Sequence, residues 1–198
     1  MTTITSTQVR ELRDVSGAPM MDCKKALDEC AGDSAKAMEW LRKKGIASAA
    51  RKATRTASDG SISSYIHHNG KVGVLLEVNC ETDFVARSDP YQQFCRDVCL
   101  HVASMRPTWT RREDVPPELV EKEREIARAQ ADPRKPAEIQ ARMVEGRVNK
   151  FFADTCLLDQ PFVKDDSRSV EQLRAELIGK LGENIVVRRF ARFEIGGG

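Results

Sequence analysis

Residues Lys71 to Cys80 read KVGVLLEVNC, in which Val72, Val74, Leu76, Val78 and Cys80 are apolar at every second position. Only a β-strand puts those five side chains on one face. A strand with one apolar face must find a neighbouring strand and then a cover for that face. The neighbour is announced by Asn69-Gly70, the strongest short hairpin signal, with SISSYI on its other side. The cover follows in chain order. Asp89 and Pro90 suit the start of a helix on which Tyr91, Phe94, Cys95, Val98, Val102 and Met105 form a continuous apolar stripe. An antiparallel hairpin covered by a helix is the nucleus of an α+β fold.

The segment before it has a different period. Thr5 with Gln8 makes a capping box, Val9 and Leu12 give an apolar face, and Gly17 is placed to stop this first helix. Pro19 suits the first turn of a second helix, whose inward face is Cys23, Ala26, Leu27 and Cys30. Met20 falls in line with that stripe. Met21 shares its face with Lys24, Lys25 and Asp28, so it either stands exposed or folds back over a small core. A third helix is expected from Asp33 to Gly45, with Ala37, Met38 and Leu41 inward. Arg42, Lys43 and Lys44 in its last turn complement the helix dipole. The stretch ASAARKATRTASDG then reads as a helical tail passing into a linker. The expected division is a three-helix module over 1–55 and an α+β core over 56–198.

Within the core, two charged helical segments over about 117–155, broken by DPRKP, carry a narrow apolar seam. Leu119 and Ile126 supply it on one side, and Ile139, Met143, Val144, Val148 and Phe151 on the other, which describes a projecting helical hairpin. Gly146 would allow the two helices to approach closely. A last helix is expected over Ser169 to Leu181, followed by a strand in ENIVVRRFARFEI and by frayed glycines.

The loop after the apolar strand, NCETDFVARS, sets Asp83 beside Phe84. Phe84 either staples the loop to the helix beginning near Pro90 or stands free for a partner. No nucleotide-binding glycine loop, HExxH helix or GxSxG elbow occurs, so no catalytic chemistry and no cofactor is expected. The six cysteines show no CxxC pair and read as reduced core thiols. Cys95 and Cys99 cannot share a metal with His101, which points off their helix face. His67 and His68 beside the hairpin turn read as solvated. No apolar run reaches membrane-span length and the first residues lack a secretory pattern, so the expected location is the cytoplasm. With 32 basic and 30 acidic residues and no aromatics interleaved with basic ones, nucleic acid is an improbable partner. A protein that works by contacting another protein is the reading left.

The segments TSTQVRELRDVSGAPMMDCKKALDECAGDSAKAMEWLRKKG, LEVNCETDFVAR, MVEGRVNKFF, QPFV and GENIVVRRFARFE, in that order, resemble the translation elongation factor Ts family. The resemblance implies a guanine-nucleotide exchange factor for the GTPase elongation factor Tu. It implies an N-terminal module similar to ubiquitin-associated domains, an α+β core with an antiparallel sheet, and a protruding coiled-coil hairpin. By resemblance, Thr82, Asp83 and Phe84 enter the partner's G domain and disturb its magnesium and phosphate site. Arg13, Met20 and Met21 touch the same domain, while His67 and Val163 meet a β domain of the partner. A scaffold that uses the three helices for a ubiquitin-like partner is the competing reading.

Two departures matter. Pro19 stands where the family commonly has Gly. The chain also has one hairpin strand pair where long members carry two copies, so it resembles the short forms that assemble as homodimers. The closing strand offers Ile185, Val187, Ala191 and Phe193 on one side with Val186 and Phe190 on the other, more apolar surface than one helix layer covers. No cysteine lies in it, so a noncovalent dimer is expected. The contacts to one GTPase would then come from different subunits.

Overall fold

The computed structural model describes residues 4–131 and 134–196. Asp132 and Pro133 of the DPRKP break, and the closing Gly197 and Gly198, lie outside the described residues. The fold is mixed helix and sheet, as expected: an N-terminal helical region and an antiparallel sheet packed with helices. The elements are α1 (Ser6–Ser16), α2 (Met20–Glu29), α3 (Ser34–Lys52), β1 (Asp59–Ile66), β2 (Val72–Cys80), α4 (Asp83–Ala86), α5 (Asp89–Met105), α6 (Pro117–Ala129), α7 (Ala137–Thr155), β3 (Pro161–Phe162), β4 (Asp165–Ser169), α8 (Val170–Leu181) and β5 (Val186–Glu194). Strand order is β1-β2-β5 in the larger sheet, and β3 pairs antiparallel with β4 in the smaller one.

The described residues form two compact units: 4–61 with 78–94 and 172–186, and 62–77 with 95–131, 134–171 and 187–196. In the first, the three N-terminal helices bury Val9, Leu12, Cys23, Ala26, Leu27 and Ala37 together. The helix ends are made as the sequence dictates. The Thr5 hydroxyl accepts the Gln8 N–H while the Gln8 side chain takes the Thr5 N–H. Gly17 closes α1 at φ 63°, and Asp33 caps α3 by accepting from Ala35 and Lys36.

Two expectations fail here. Gly45 does not end α3, which continues through Lys52. It lies instead inside α3 where that helix meets α8: a Cβ at Gly45 would lie 3.5 Å from the Ala175 carbonyl oxygen, and one at Gly179 would lie 3.4 Å from the Gly45 Cα, both ordinary contact distances. Met20 is 43% exposed, not in the core, because as the first residue of α2 it stands beyond the layer that begins at Cys23. Farther along this unit, the Tyr91 hydroxyl donates to the Val78 carbonyl at 2.6 Å and receives the Ser61 N–H at 3.1 Å, tying the beginnings of α5 and β1 to the end of β2.

In the second unit, Val74 and Leu76 of β2, and Cys95, Val98, Cys99 and Val102 of α5, are buried, as their periodicity requires. Met105 is exposed instead. It sits in the last turn, before Arg106 leaves the helix at φ 53°. The α6–α7 hairpin buries a seam narrower than expected, Ala127, Val144 and Val148, while Leu119, Ile139 and Met143 remain exposed; Arg124 reaches Glu145 across it at 3.6 Å. Gly146 is not a close-approach position, because a Cβ there would meet nothing within 4 Å. Gly146→Ala is therefore expected to stabilise α7 by about 1 kcal/mol, read as a higher denaturant midpoint with unchanged slope.

Ile185, just before β5, and Val187 on it are buried but Ala191 and Phe193 are exposed, so the four do not form the single expected face. Past Arg188 the outward side is set by Arg189, which pairs with Glu77 at 2.6 Å. The inward side is set by Arg192, which donates to the Ala103 carbonyl of α5.

Candidate functional site

The stretch after β2 is not an open loop. Thr82 is extended at φ −134° and caps a single helical turn, Asp83–Ala86, its hydroxyl accepting the Val85 N–H at 3.4 Å. Val85 and Ala86 are buried, and they press the turn onto the first unit. That placement throws Phe84 outward, where it is 81% exposed. It does not staple the turn to α5. The turn is held by polar bonds instead: Ser88 Oγ donates to the Val85 carbonyl at 2.8 Å, Gln92 Nε2 to the Ala86 carbonyl at 2.6 Å, and Cys80 Sγ to the Thr82 carbonyl at 3.1 Å. Asp83 pairs with Arg87 at 2.8 Å, both side chains lying in solvent. An exposed pair of this kind contributes little and leaves the carboxylate available to a stronger cation.

A further group reaches this turn from far along the chain. Glu183 takes the N–H groups of Glu81 and Thr82 at 3.0 and 3.1 Å on one oxygen, and the Thr82 hydroxyl at 2.7 Å on the other. Glu81 answers by accepting the Asn184 N–H at 2.7 Å. Periodicity cannot reveal a contact between residues 101 positions apart, and no local signal marked Glu183.

Arg13, Met20 and Met21 belong to the same unit as the Thr82–Asp83–Phe84 turn. All three are exposed, Met21 at 71%, so its thioether does not fold back over the three-helix core. Val15, also exposed, adds an apolar side chain that helical phase alone did not single out.

His67 and Val163 lie in the second unit. His67 is half-buried rather than fully solvated, its Nδ1 sharing a 2.9 Å bond with the Tyr65 hydroxyl, while His68 is exposed. Val163, exposed, follows β3 and has its N–H held by Nδ1 of the fully buried His101 at 3.1 Å. The other ring nitrogen of His101 must then carry the hydrogen, which it donates to Gln160 Oε1 at 2.9 Å. His101 thus has both ring nitrogens engaged and anchors the backbone of Val163.

Burial holds the His101 imidazole below its ordinary value of 6.5, against the Gln160 bond, which acts the other way. The unfolded chain consequently takes up a proton that the folded one refuses. The stability from neutral His101 is complete above about 6.5 and is lost as pH falls toward the folded value, by at most about 1.4 kcal/mol per pH unit. The drop in melting temperature between about pH 7.5 and 5.5 is expected to shrink in His101→Gln, in which a neutral amide can keep both bonds.

All six cysteines are free. Burial raises the thiols of Cys80 and Cys99 to about 11 and about 12. Among the described residues no group of three or more His, Cys, Asp and Glu is placed to hold a metal ion, and no helix is long and apolar enough to cross a membrane.

Comparison with known proteins gives one consistent result. The family model for elongation factor Ts matches residues 3–196. Elongation factor Ts of Carboxydothermus hydrogenoformans is 55% identical over 196 residues, covering 98% of this chain and 90% of that protein. Elongation factor Ts of Geobacter sulfurreducens is 54% identical, covering 98% and 91%. That of Koribacter versatilis is 55% identical, covering 98% and 89%.

Proposed function

The chain belongs to the elongation factor Ts family, and from that premise we propose that it promotes release of GDP from the GTPase elongation factor Tu in the cytoplasm. It does so without catalytic chemistry, cofactor or nucleotide binding of its own. The observation that carries this reading is Phe84, a large apolar side chain held out in water on a turn that is itself firmly bonded. Phe84 enters the partner's G domain as a wedge, with Thr82 and Asp83 beside it. Asp83 competes electrostatically near the magnesium that holds the nucleotide phosphates. Arg13, Met20 and Met21 contact the same domain, the flexible thioethers adapting to its surface. His67 and Val163 meet a β domain of the partner. Residues 1–55 serve as the module facing the G domain, and 56–198 as the core and dimerisation domain.

Exchange follows from linkage: by whatever factor this chain weakens nucleotide binding, nucleotide weakens binding of this chain. Labelled GDP preloaded on elongation factor Tu is expected to leave faster when a substoichiometric amount of the chain is added. Unchanged release would sink the reading, and capture of a ubiquitin-like protein instead would favour the scaffold alternative.

A homodimer is the second part of the proposal. Ile62 and Ile66 of β1, Leu75 of β2 and Phe193 of β5 are all exposed in the second unit. Ile66 lies over Gly73, where a Cβ would come within 3.2 Å of its Cδ1, so these side chains share the outer face with Leu75. A groove of about 460 Å³ runs beside Ile66, Phe193 and Ile195. Pairing this face with its copy removes the apolar surface from water and closes a symmetric interface. Sedimentation equilibrium at micromolar concentration is expected to give twice the chain mass. Leu75→Arg should give monomer, and a monomeric parent protein would refute the pairing.

A further inference from the structure

We infer that Glu183 is the positioning residue of the Phe84 turn: its carboxylate fixes where the exposed ring stands and so sets how well the ring engages the GTPase. This rests on the reading above in which Phe84 enters the partner. A helix of four residues cannot hold itself in water, because nucleating a turn fixes several residues for a single backbone bond. Something outside the turn must define it: the buried Val85 and Ala86 fix its inner side and the bonds from Ser88 and Gln92 fix its end, which leaves its start.

The start of the turn is defined through Thr82, and Glu183 accepts from three donors there, two on Thr82 and one on Glu81. One carboxylate oxygen accepts two consecutive backbone N–H groups, those of Glu81 and Thr82. The other accepts the Thr82 hydroxyl proton. Because an ionised carboxylate can only accept, it dictates where that proton lies and leaves the hydroxyl lone pairs facing the Val85 N–H that they cap. An anionic acceptor serving three donors makes stronger bonds than a neutral one.

The clasp is also reciprocal. Glu81 takes the Asn184 N–H, and the Asn184 amide donates to the Arg55 carbonyl at 2.8 Å. The Arg55 guanidinium lies 3.5 Å from Glu81, offsetting the two nearby acidic groups. The segment between α8 and β5 thus grips the base of the turn, while the ring itself stands 81% exposed. Preorganising an exposed anchor in this way lowers the ordering cost of binding.

The test is a double-mutant cycle in the full chain between Glu183→Gln, which keeps size but removes one acceptor and the charge, and Phe84→Ala. The readout is labelled GDP release from elongation factor Tu. Glu183→Gln is expected to slow release by about tenfold. In the Phe84→Ala background it should slow release by no more than about twofold, since the ring it positions is gone. Backbone amide exchange at Val85 should quicken in the free Glu183→Gln chain while exchange in the three-helix core stays as in the parent. Thr82→Val, which keeps the backbone but removes the hydroxyl, carries the same test if Glu183→Gln fails to fold. Full multiplicative losses would overturn the proposal, because Glu183 would then act independently of Phe84. A slow Phe84→Ala beside a normal Glu183→Gln removes the positioning role and leaves the wedge reading standing. A normal Phe84→Ala removes both.

Discussion

Replacing Phe84 by alanine is expected to slow GDP release from elongation factor Tu by roughly ten- to a hundredfold while leaving the melting temperature within about 2 °C of the parent protein. The first number follows from burying one phenylalanine side chain in a partner, about 1.5–3 kcal/mol. The second follows from its 81% exposure, because a ring already in water contributes almost nothing to its own fold. Release kinetics at several concentrations of the chain, together with a thermal melt, measure both. A ring stapling the turn would instead behave as a core truncation, costing about 3–5 kcal/mol and lowering the melting temperature by roughly 6 °C or more. That outcome would refute the wedge.

The second large effect lies in the fold itself. Gly60, in β1, has φ 145°, and a Cβ there would sit 2.2 Å from the Val78 carbonyl oxygen and 2.7 Å from the Asn79 Cα. Both obstacles are backbone of β2, so no side chain can turn aside. Gly60→Ala must push the start of β1 away, breaking the relay in which Tyr91 joins the Ser61 N–H to the Val78 carbonyl. The expected cost is about 3 kcal/mol or more, a fall of roughly 6–12 °C in melting temperature. Gly70→Ala is the control. At φ 67° with nothing within 4 Å of its Cβ, it carries only the conformational penalty of about 1–2 kcal/mol. Equal losses at the two glycines would show that the close approach to Val78 is not what matters.

Neither Gly60 nor the Phe84 turn was fully legible beforehand, for different physical reasons. Alternation revealed β2 because its inward residues are large and apolar. The start of β1 carries Asp59 and Gly60, and a position whose task is to have no side chain looks like the end of a linker. The Phe84 turn is too short to have a period, so only its apolar-acidic composition stood out, and whether the ring stapled the turn or stood in solvent depended on the burial of Val85 and Ala86. Gly45 misled because a glycine near a basic last turn fits a helix end, yet here it lies inside α3 where that helix meets α8. Caps, the stripe of α5 and the hairpin turn were legible because each depends on neighbours within a few residues. Glu183 with Thr82, and His101 with Val163, join distant segments by hydrogen bonds that leave no mark in local sequence.

The glycine crossing of α3 and α8 bears on avidity. Had α3 stopped at Gly45, the exposed Met20 and Met21 would hang from the Phe84 turn by a flexible tether, and each contact would pay separately for its ordering. With α3 running to Lys52 against α8, both patches sit in one compact unit. For the binding proposed above, seating one of them presents the other at a high effective concentration, so two modest contacts combine without any new bond.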